Sequence, residues 1–554
     1  MSTRLLLVRY GGSIVLRKTC AALIVSALLS LAIVSCGGPN ADETPQSGTA
    51  RLQTTADRPK VIVLLVDSLL SPSIDRLLAA NKLPALRFLI ENGVYKRDVI
   101  SSFPTMSVTI DSSLLTGTYA DGHGIPGLLW YHAAEKRIVN YGDGSRAVWQ
   151  NGPRQLLTDS LYNLNQQHLS KRVETLHEAL DQAGFTSASI NGLIYRGSVP
   201  HELVLPANLA KLVLKTQKVS VMGPHLLGFG TLSSVTNQPL PEGPLQSFGF
   251  NDAYTAQSLV SLAGGGRLPD VTVAYFPDMD GRLHKNGPGD TSGVENMDRQ
   301  LQIILNAFGD WRRALEHHVF VVMGDSGVAA TAADRTAAVI ELDKMMAAVG
   351  YRVLPMGRQA GADDDVAIAV NGRMCYVYAL SPRAPLSGLA GALGNEPRID
   401  LIAWKEGEWV QVQRGGSGSR LRFRLGGTYR DPYGRTWDVE GDWAVMGLAR
   451  DAVTGRILSR EYPDGLTRLH GALHSHPGDY LVVTAVPGVE FHANGSPNHP
   501  GGGNHGGLHR EDSLFPFIAA GKGRLPAPPA RIVDVKAYLL SLVQAGRVRI
   551  GAGR

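Results

Sequence analysis

The stretches that decide the fold are Lys60-Val-Ile-Val-Leu-Leu-Val-Asp67, Val271-Thr-Val-Ala-Tyr-Phe-Pro-Asp-Met-Asp280 and Val319-Phe-Val-Val-Met-Gly-Asp325. Each is an apolar run that ends in aspartate, and continuous runs of Val, Ile and Leu are typical of parallel strands covered on both faces. Ligands of such sheets bind outside the carboxyl ends of the strands. We therefore predict that the three aspartates lie together there, where carboxylate oxygens would hold a divalent cation.

Helix-compatible segments separate the apolar runs. The predicted fold class is α/β, with a mostly parallel, doubly wound sheet and helices on both faces. Amphipathic helical stretches are predicted from Ser73 to Asn92 and from Arg172 to Ala183. The predicted strands of this layout are residues 60–67, 186–191, 271–277, 319–324, 480–485 and 514–520.

The residue pattern of the sequence changes between residues 345 and 445. Short alternating runs such as Ala367-Ile-Ala-Val and Leu421-Arg-Phe-Arg-Leu are broken there by Gly, Asp and Pro, which is typical of short strands joined by turns. We expect residues 59–344 and 446–545 to form the core domain. Residues 345–445 are expected to form a smaller, partly antiparallel α+β insertion that resembles a cap.

The N-terminal segment has the pattern of a processing signal. Residues 1–36 contain basic residues and no acid, and the apolar stretch from Ala21 to Val34 is short for a membrane span. The end of this segment resembles a bacterial lipobox with Cys36 as the lipidated residue, and an ordinary cleaved signal is the alternative. Residues 37–58, rich in Gly, Pro, Thr and Ser, are expected to form a flexible tether. The predicted location is the bacterial cell surface or the periplasmic side of the membrane.

The charge distribution argues against a nucleic-acid polymer as a partner. The 554 residues carry a formal charge of +5, and removing the four charges of Arg4, Arg9, Arg17 and Lys18 with the leader leaves +1. No run of Lys and Arg suited to a phosphate backbone is present. After processing and acylation, only Cys375 remains as a free thiol, which excludes an internal disulfide and a cysteine-rich metal site.

A stretch rich in hydroxyl side chains follows the first predicted helical segment. It reads Ser102-Phe-Pro-Thr-Met-Ser-Val-Thr-Ile-Asp-Ser-Ser-Leu-Leu-Thr-Gly-Thr-Tyr-Ala-Asp-Gly-His-Gly-Ile125. A hydroxyl that follows Pro104 and precedes a helix-compatible run can lie at a helix N-terminus, where free N–H groups and the dipole favour a phosphate. Thr105 and Ser107 are both candidates. On this stretch alone, a simple N-cap is an equally good interpretation.

Three further segments combine Asp or His with glycine. Asp280 and His284 lie four residues apart after a predicted strand, so both can face one cation from a single helical turn. Asp325 lies in Gly-Asp-Ser-Gly, and His505 is flanked by glycine just ahead of the last predicted strand. Each segment alone is a weak signal, because most loop Asp and His residues are simply solvated. Together, imidazoles and carboxylates are the ligands that zinc prefers.

In their order along the chain, these motifs resemble the alkaline phosphatase superfamily, and within it the type I phosphodiesterase/nucleotide pyrophosphatase family. Family members have an aspartate after the first strand and a Thr or Ser nucleophile upstream of a Thr-Gly pair. His-Gly-Ile, Asp-x-x-x-His with Gly-Pro, Asp-His-Gly and a C-terminal His-Gly then follow. The resemblance runs from about Lys60 to His284 and returns at Asp325 and His505. The middle insertion lies outside it.

The resemblance implies two divalent cations, expected to be zinc, with manganese as the alternative. The first would be held by Asp280, His284 and His505. The second would be held by Asp67, Asp325 and the oxygen of the nucleophile.

The nucleophile position follows from counting back from Thr116-Gly117 without a gap, which leads to Ser107, with Thr105 as the alternative. A cation on the Ser107 oxygen would lower the pKa of this hydroxyl and supply a nucleophile near neutral pH. The oxygen would attack phosphorus in line. A covalent phospho-serine would form and then be hydrolysed.

Two departures from the family pattern lie in the chemistry. Family members have a His directly after the third aspartate as a ligand of the second cation, whereas Ser326 follows Asp325 here. Counting also leads to Leu128 where the phosphodiesterases carry an Asn that binds a phosphate oxygen. Three candidates would complete the second site. Ser326 would act through a water molecule, and His499 or His509, which flank the glycine-rich loop of residues 501–507, would act directly.

The leading hypothesis is an extracytoplasmic, metal-dependent hydrolase of phosphate esters, of the phosphodiesterase or pyrophosphatase type. Its partners would be a small-molecule or lipid-head-group phosphate ester and, through the lipid anchor, the membrane. One alternative is a degenerate, non-catalytic binding lipoprotein of the same fold, which Ser326 and Leu128 motivate. The other is a phosphoryl or head-group transferase. A sulfatase is disfavoured because no Cys/Ser-x-Pro-x-Arg pattern lies near Ser107.

Overall fold

The structure is a computed structural model that describes residues 59–142, 152–206 and 217–551, with side chains up to residue 544. The predicted leader and tether, with Cys36, lie outside the described residues. Among the residues described, no helix has the length and apolar character needed to cross a membrane.

The β-strands are numbered in chain order. They are β1 Lys60–Val66, β2 Gly93–Ile100, β3 Leu129–His132, β4 Arg137–Asn140, β5 Ser187–Ile190, β6 Val199–Val204, β7 Lys218–Gly223, β8 Leu226–Gly228, β9 Val271–Phe276, β10 His318–Met323, β11 Ala329–Ala330, β12 Val339–Glu341, β13 Val366–Asn371, β14 Met374–Ala379, β15 Ile399–Glu406, β16 Trp409–Arg414, β17 Arg420–Arg430, β18 Thr436–Gly441, β19 Leu448–Arg450, β20 Ile457–Ser459, β21 Tyr480–Ala485, β22 Glu490–His492, β23 Gly503–Asn504 and β24 Leu514–Ala520.

The helices lie between these strands and at the C-terminus. The α-helices are Ser71–Ala79, Pro84–Glu91, Ser107–Thr116, Ala120–His123, Pro153–Thr158, Leu176–Gln182, Asp252–Gly264, Asp278–Asn286, Ser292–Asn306, Trp311–His317, Arg335–Ala338, Leu342–Ala348, Leu386–Gly394, Gly465–Leu473, Arg510–Ser513 and Val535–Gly551. A π-helix, Asp159–His168, and the 3₁₀ helices Pro244–Gly249, Trp443–Met446 and Ile532–Asp534 complete the set.

The first sheet has seven strands in the order β2-β24-β10-β1-β9-β5-β8. The five strands from β10 to β8 pair in parallel, and only β24 runs against its neighbours, β10 and β2. β1 is central, since its Leu64 lies between Val322 of β10 and Ala274 of β9. The predicted α/β class with a mostly parallel sheet is confirmed.

Helices cover both faces of this sheet because the side chains of each strand alternate in direction. Val63 of β1 belongs to a core that includes Leu114 of helix Ser107–Thr116. Leu64, on the opposite face, packs in a second core with Leu259 and Leu301 of two other helices. Burial on both faces explains why the strand sequences are apolar throughout rather than alternating.

Two predicted elements are wrong in detail. The single helix predicted from Ser73 to Asn92 is two helices, because the chain turns ahead of Pro84, whose ring favours the first turn of a new helix. The predicted strand at residues 480–485 exists as β21 but belongs to the second sheet. Both of its faces are buried, so its apolar sequence is equally compatible with either sheet.

The second sheet also has seven strands, in the order β13-β14-β21-β15-β16-β17-β18, and all of its pairings are antiparallel. Ala369 and Tyr376, on one face, share a core with the first sheet. Ile368 and Val377, on the other face, pack with Leu389 of helix Leu386–Gly394. The second sheet thus rests on the first through a continuous apolar core.

Candidate active site

The carboxyl ends of β1, β9 and β10 meet at one edge of the first sheet. Asp67 directly follows β1, Asp280 lies in the first turn of the helix after β9, and Asp325 lies just beyond β10. All three side chains are buried. The edge therefore gathers the aspartates whose strand-end positions indicated a cation site.

The first group at this edge, called the Asp-His-His group, is Asp280, His284 and His505, whose ligand atoms all lie within 4.8 Å of one another. Oδ1 of Asp280 lies 3.3 Å from Nε2 of His284 and 3.2 Å from Nε2 of His505. The four-residue spacing on helix Asp278–Asn286 brings the first two together. One carboxylate with two imidazoles is a donor set that suits zinc.

Backbone carbonyls orient both imidazoles of this group. Nδ1 of His284 donates to the carbonyl of Gly503 at 2.8 Å, and Nδ1 of His505 donates to the carbonyl of Thr105. With the proton on Nδ1, a neutral ring turns its Nε2 lone pair toward the Asp280 carboxylate. Lone pairs at these distances repel a carboxylate unless a proton or a cation lies between them, so the arrangement fits a bound cation.

The electrostatics of Asp280 agree with this arrangement. Burial raises the pKa of the Asp280 carboxyl, but the positive charge and hydrogen bonds that protonated His284 and His505 would direct at it outweigh burial and hold this pKa well below its usual value. A bound cation would supply the same positive charge when the two rings are neutral. Oδ2 of Asp280 is buried without a hydrogen-bond partner among the described residues. An ionised carboxylate oxygen is thus available to a ligand.

Ser68 joins the Asp-His-His group to the next carboxylate and is not among the predicted site residues. Its backbone N–H donates to Oδ1 of Asp325 at 2.7 Å, and its hydroxyl donates to Oδ1 of Asp280 at 3.0 Å. Ser68 is the second residue after β1, and its left-handed φ of 60° permits both bonds. The only signal in the sequence is a polar residue next to Asp67.

The second group, called the Asp67–Asp325 group, contains these two aspartates with Ser326 and Tyr275. The hydroxyl of Tyr275 donates to Asp67. Oδ2 of Asp325 and the hydroxyl of Ser326 are buried and have no hydrogen-bond partner within the described chain. Burial raises the pKa of Asp325, against the N–H of Ser68 and the charge of His505, which lower it. Oxygen atoms able to contact a ligand thus lie just beyond β10.

The two candidate nucleophiles differ in what their hydroxyls contact. Thr105 is fully buried and its hydroxyl accepts the N–H of Gly506 at 2.7 Å, so it braces the loop that carries His505. Ser107 is half-buried between the buried residues Met106 and Val108, and it is the first residue of helix Ser107–Thr116. Its position is the more open one and lies where helix amides favour a phosphate.

The described contacts of the spare histidines, His499 and His509, are with residues outside the Asp67–Asp325 group. The ring of His499 stacks on that of His284 with centroids 4.3 Å apart, and its Nδ1 lies 3.2 Å from the carboxylate of Glu490. His509 accepts the N–H of Glu511 and lies edge-on to Tyr462. His499 therefore supports the Asp-His-His group, and the ring of His509 is committed elsewhere.

Leu128 places no polar side chain at the site. The residue is buried, and its backbone N–H donates to Oδ1 of Asn371 at 2.8 Å. The amide of Asn371 also donates to the carbonyl of Leu129, so this amide is occupied by the backbone.

Comparison with known protein families gives one match. The family model described as "Type I phosphodiesterase / nucleotide pyrophosphatase" matches residues 61–386. This range contains Asp67, Ser107, Asp280, His284 and Asp325, whereas His505 lies beyond it. A search of curated proteins by sequence gave no match.

Solved structures share the fold at low sequence identity. Murine ectonucleotide pyrophosphatase/phosphodiesterase 5, an inactive variant in complex with AMP, has a TM-score of 0.52 and 13% identity, covering 88% of this chain and 95% of that chain. The human protein of that name has a TM-score of 0.51, with the same identity and coverage. Phosphonoacetate hydrolase from Sinorhizobium meliloti 1021, in complex with phosphonoacetate, has a TM-score of 0.53 and 16% identity, covering 88% of this chain and 96% of that chain.

Proposed function

Because the chain belongs to the type I phosphodiesterase/nucleotide pyrophosphatase family, we propose that it is a metal-dependent hydrolase of phosphate esters that acts outside the cytoplasm. The observation that carries the proposal is the Asp-His-His group, in which two oriented imidazoles face one carboxylate at 3.2–3.3 Å. This group lies at the sheet edge where the family fold is expected to bind its ligands.

The donor atoms present suit two cations. Asp280, His284 and His505 would hold one, and Asp67 and Asp325 would hold the other. Divalent cations at such a centre lower the pKa of a bound hydroxyl and neutralise the charge of a phosphoryl group. Ser68 would keep the two carboxylates in register, since it donates one hydrogen bond to each of Asp280 and Asp325.

Ser107 would be the nucleophile, with Thr105 as a bracing residue. The Ser107 oxygen would form a bond to phosphorus while the bond from phosphorus to the leaving oxygen breaks, and that oxygen takes up a proton. Water would then cleave the phospho-serine and return a proton to Ser107. Free amides at the start of helix Ser107–Thr116 would hold phosphoryl oxygens during both steps.

The proposed substrate is a small-molecule or lipid-head-group phosphate ester. The support comes from two solved neighbours, whose structures contain AMP in one case and phosphonoacetate in the other. Each is a small compound with a phosphoryl or phosphonyl group.

A direct assay with nitrophenyl esters tests the proposal. We expect purified protein to hydrolyse bis-p-nitrophenyl phosphate or p-nitrophenyl phosphate with Zn²⁺ or Mn²⁺, to lose activity on chelation and to regain it when either metal returns. A protein that binds no divalent cation and releases no nitrophenol would contradict the proposal and favour a binding protein of the same fold.

The residue assignment is tested by substitution. Ser107→Ala should lower kcat by on the order of 10³-fold, because the nucleophilic oxygen is removed. Ser112→Ala is the matched control, since its hydroxyl only bonds the Val108 carbonyl within the same helix. Thr105→Ala should leave most of the turnover, and the reverse pattern would make Thr105 the nucleophile. A mass increase of one phosphoryl group on the Ser107 peptide after acid quenching would report the covalent step.

The proposed location rests on the N-terminal sequence. Cys36 would carry lipid and residues 37–58 would hold the catalytic domain away from the membrane. Cys36→Ala should release the protein from the membrane fraction, and unchanged membrane association of that variant would overturn the proposed anchor.

A further inference from the structure

A second cluster of metal-ligating side chains involves none of the residues at the sheet edge. Called the His-Glu-His group, it consists of His132 at the end of β3, Glu135 in the turn before β4 and His168 at the end of the π-helix. Each of the three offers a ligand atom that lies within 4.8 Å of the other two, and Nε2 of His132 is 3.9 Å from Oε1 of Glu135. Zinc, with bonds of about 2.0–2.2 Å, holds neighbouring ligand atoms roughly 3–4 Å apart. Small movements of these side chains would therefore enclose one ion.

Neighbouring side chains orient two of the three ligands. Nδ1 of His168 lies 2.7 Å from the hydroxyl oxygen of Tyr141, so a proton on Nδ1 can be donated to that oxygen while the lone pair of Nε2 stays available. Oε2 of Glu135 accepts the Nε–H of Arg137 at 2.6 Å. The other carboxylate oxygen, Oε1, is the one that lies toward His132.

The third ligand requires one exchange of hydrogen bonds. Nδ1 of His132 accepts the backbone N–H of Glu135 at 3.2 Å, which is near the upper end of the usual range. A cation on Nε2 would place the ring proton on Nδ1, and this bond would then be replaced by bonds to water. The His132 side chain is 26% exposed, so water can reach it.

The charges around the group favour a cation. Arg137 donates to the two oxygens of Asp159 at 2.7 and 2.9 Å and also to Glu135, so one guanidinium faces two carboxylates. Burial is the main cause that lowers the pKa of His168 to about 4, so this ring is neutral at pH 7. The surroundings of the group thus carry a net negative charge before an ion binds.

We propose that His132, Glu135 and His168 form a further cation site, which binds Zn²⁺ and fastens hairpin β3–β4 to the end of the π-helix. Two imidazoles with one carboxylate suit zinc, and three protein ligands at a partly exposed position leave a fourth coordination position for water. The inference goes beyond the proposed function, because the two share no residue.

Zinc binding by the full chain tests the site once the Asp-His-His group has been disabled. Metal-free His284→Ala protein is titrated with Zn²⁺ by isothermal calorimetry and compared with the double variants His284→Ala/Glu135→Gln and His284→Ala/His132→Ala. We expect each double variant to lose one equivalent of zinc or to bind it at least about tenfold more weakly, because one ligand is gone. Zn²⁺ should also raise the unfolding temperature of His284→Ala more than that of either double variant.

His317→Ala is the matched control for removal of a histidine. His317 is the exposed last residue of helix Trp311–His317. Adding this substitution to His284→Ala should leave both the amount and the affinity of bound zinc unchanged. A loss equal to that of His132→Ala would show that any histidine contributes, and would overturn the site.

Fluorescence locates the ion within the chain. The ring centroid of Trp130 lies 5.1 Å from that of His132 and 5.4 Å from that of His168. Co²⁺ binds nitrogen and oxygen ligands as zinc does and quenches an adjacent indole. We expect Co²⁺ to quench part of the tryptophan fluorescence of His284→Ala, and this part to be absent when Trp130→Phe or Glu135→Gln is added.

The outcomes separate this inference from the proposed function. Equal zinc binding in His284→Ala and His284→Ala/Glu135→Gln would overturn the site while the hydrolase proposal stands. A wild-type chain that binds zinc at this group but hydrolyses no phosphate ester would overturn the hydrolase proposal alone. If His284→Ala/His132→Ala fails to fold, the variant with Glu135→Gln decides by the same criterion, because the Glu135 side chain is 42% exposed and its replacement leaves the core intact.

Discussion

At the scale of single residues, the site depends on side chains that each connect two others. Ser68 is the plainest case, because its hydroxyl and its backbone N–H reach carboxylates of different groups, Asp280 and Asp325. The hydroxyl occupies one lone pair of Oδ1 of Asp280, whereas Oδ2 accepts no hydrogen bond within the described residues. Removing the Ser68 hydroxyl should make the position of the Asp280 carboxylate less well defined, while all of the proposed metal ligands remain present.

We therefore expect Ser68→Ala to bind zinc at the Asp-His-His group about tenfold more weakly than wild type, as substitutions behind a ligand commonly do. Isothermal titration of metal-free protein with Zn²⁺ measures this. Ser71→Ala is a matched control, since its hydroxyl bonds the Arg97 carbonyl instead. Equal zinc affinity in Ser68→Ala and Ser71→Ala would show that the bond to Asp280 has no effect on the ligand.

At the scale of elements, the turn of hairpin β13–β14 from the second sheet supports the loop of His505. The N–H of Arg373 donates to the His505 carbonyl at 2.8 Å, and its guanidinium bonds both oxygens of Asp512 at 2.7 and 2.6 Å. Gly372, with a φ of 64°, lets this turn approach, because a Cβ there would lie 2.2 Å from the same carbonyl. The second sheet thus stabilises a ligand of the first.

Breaking the ion pair between Arg373 and Asp512 should destabilise the folded protein. Both side chains are fully buried, so Arg373→Met leaves the Asp512 carboxylate without its partner, and we expect a loss of about 3–5 kcal/mol in the free energy of unfolding. Urea unfolding followed by circular dichroism measures it. Arg422→Met, at the exposed pair with Glu440, should cost less than about 1 kcal/mol. Similar losses in the two variants would argue against a special role for the buried pair.

At the scale of the whole molecule, the shared core of the two sheets buries neutral histidines. Burial is the main cause that lowers the pKa of His123, His177 and His476 to about 3. The unfolded chain binds these protons near pH 6.5, so below that pH it binds more protons than the folded chain. The stability that neutral histidines allow is therefore present above pH 6.5 and is lost as the pH falls toward 3.

Each such histidine should lower the free energy of unfolding by about 1.4 kcal/mol per pH unit across this range. We expect the urea midpoint to fall steadily from pH 7 to pH 5, and His177→Gln to show a shallower fall than wild type. Ser112→Ala, which removes a hydroxyl that does not titrate, is the comparison variant and should follow the wild-type slope. Parallel slopes for His177→Gln and wild type would exclude His177 as a source of the pH dependence.

The sequence by itself determined the α/β class, the strands that end in Asp67 and Asp325, and the order of motifs that resembles one family. These features depend on local periodicity and on neighbours along the chain, which the order of residues contains. The pairing of Asp280 with His284 is local for the same reason, since four residues make one helical turn.

Only the tertiary structure decided which distant groups meet. Ser68 and Asp280 are 212 residues apart, and the fold alone brings the hydroxyl of one to the carboxylate of the other. The choice of sheet for β21 and the stacking of His499 on His284 likewise depend on long-range packing. The sequence of an apolar strand does not depend on which sheet the strand joins, and the sequence around a serine or histidine does not reveal which distant side chains it contacts. These partners are therefore known only once the core is assembled.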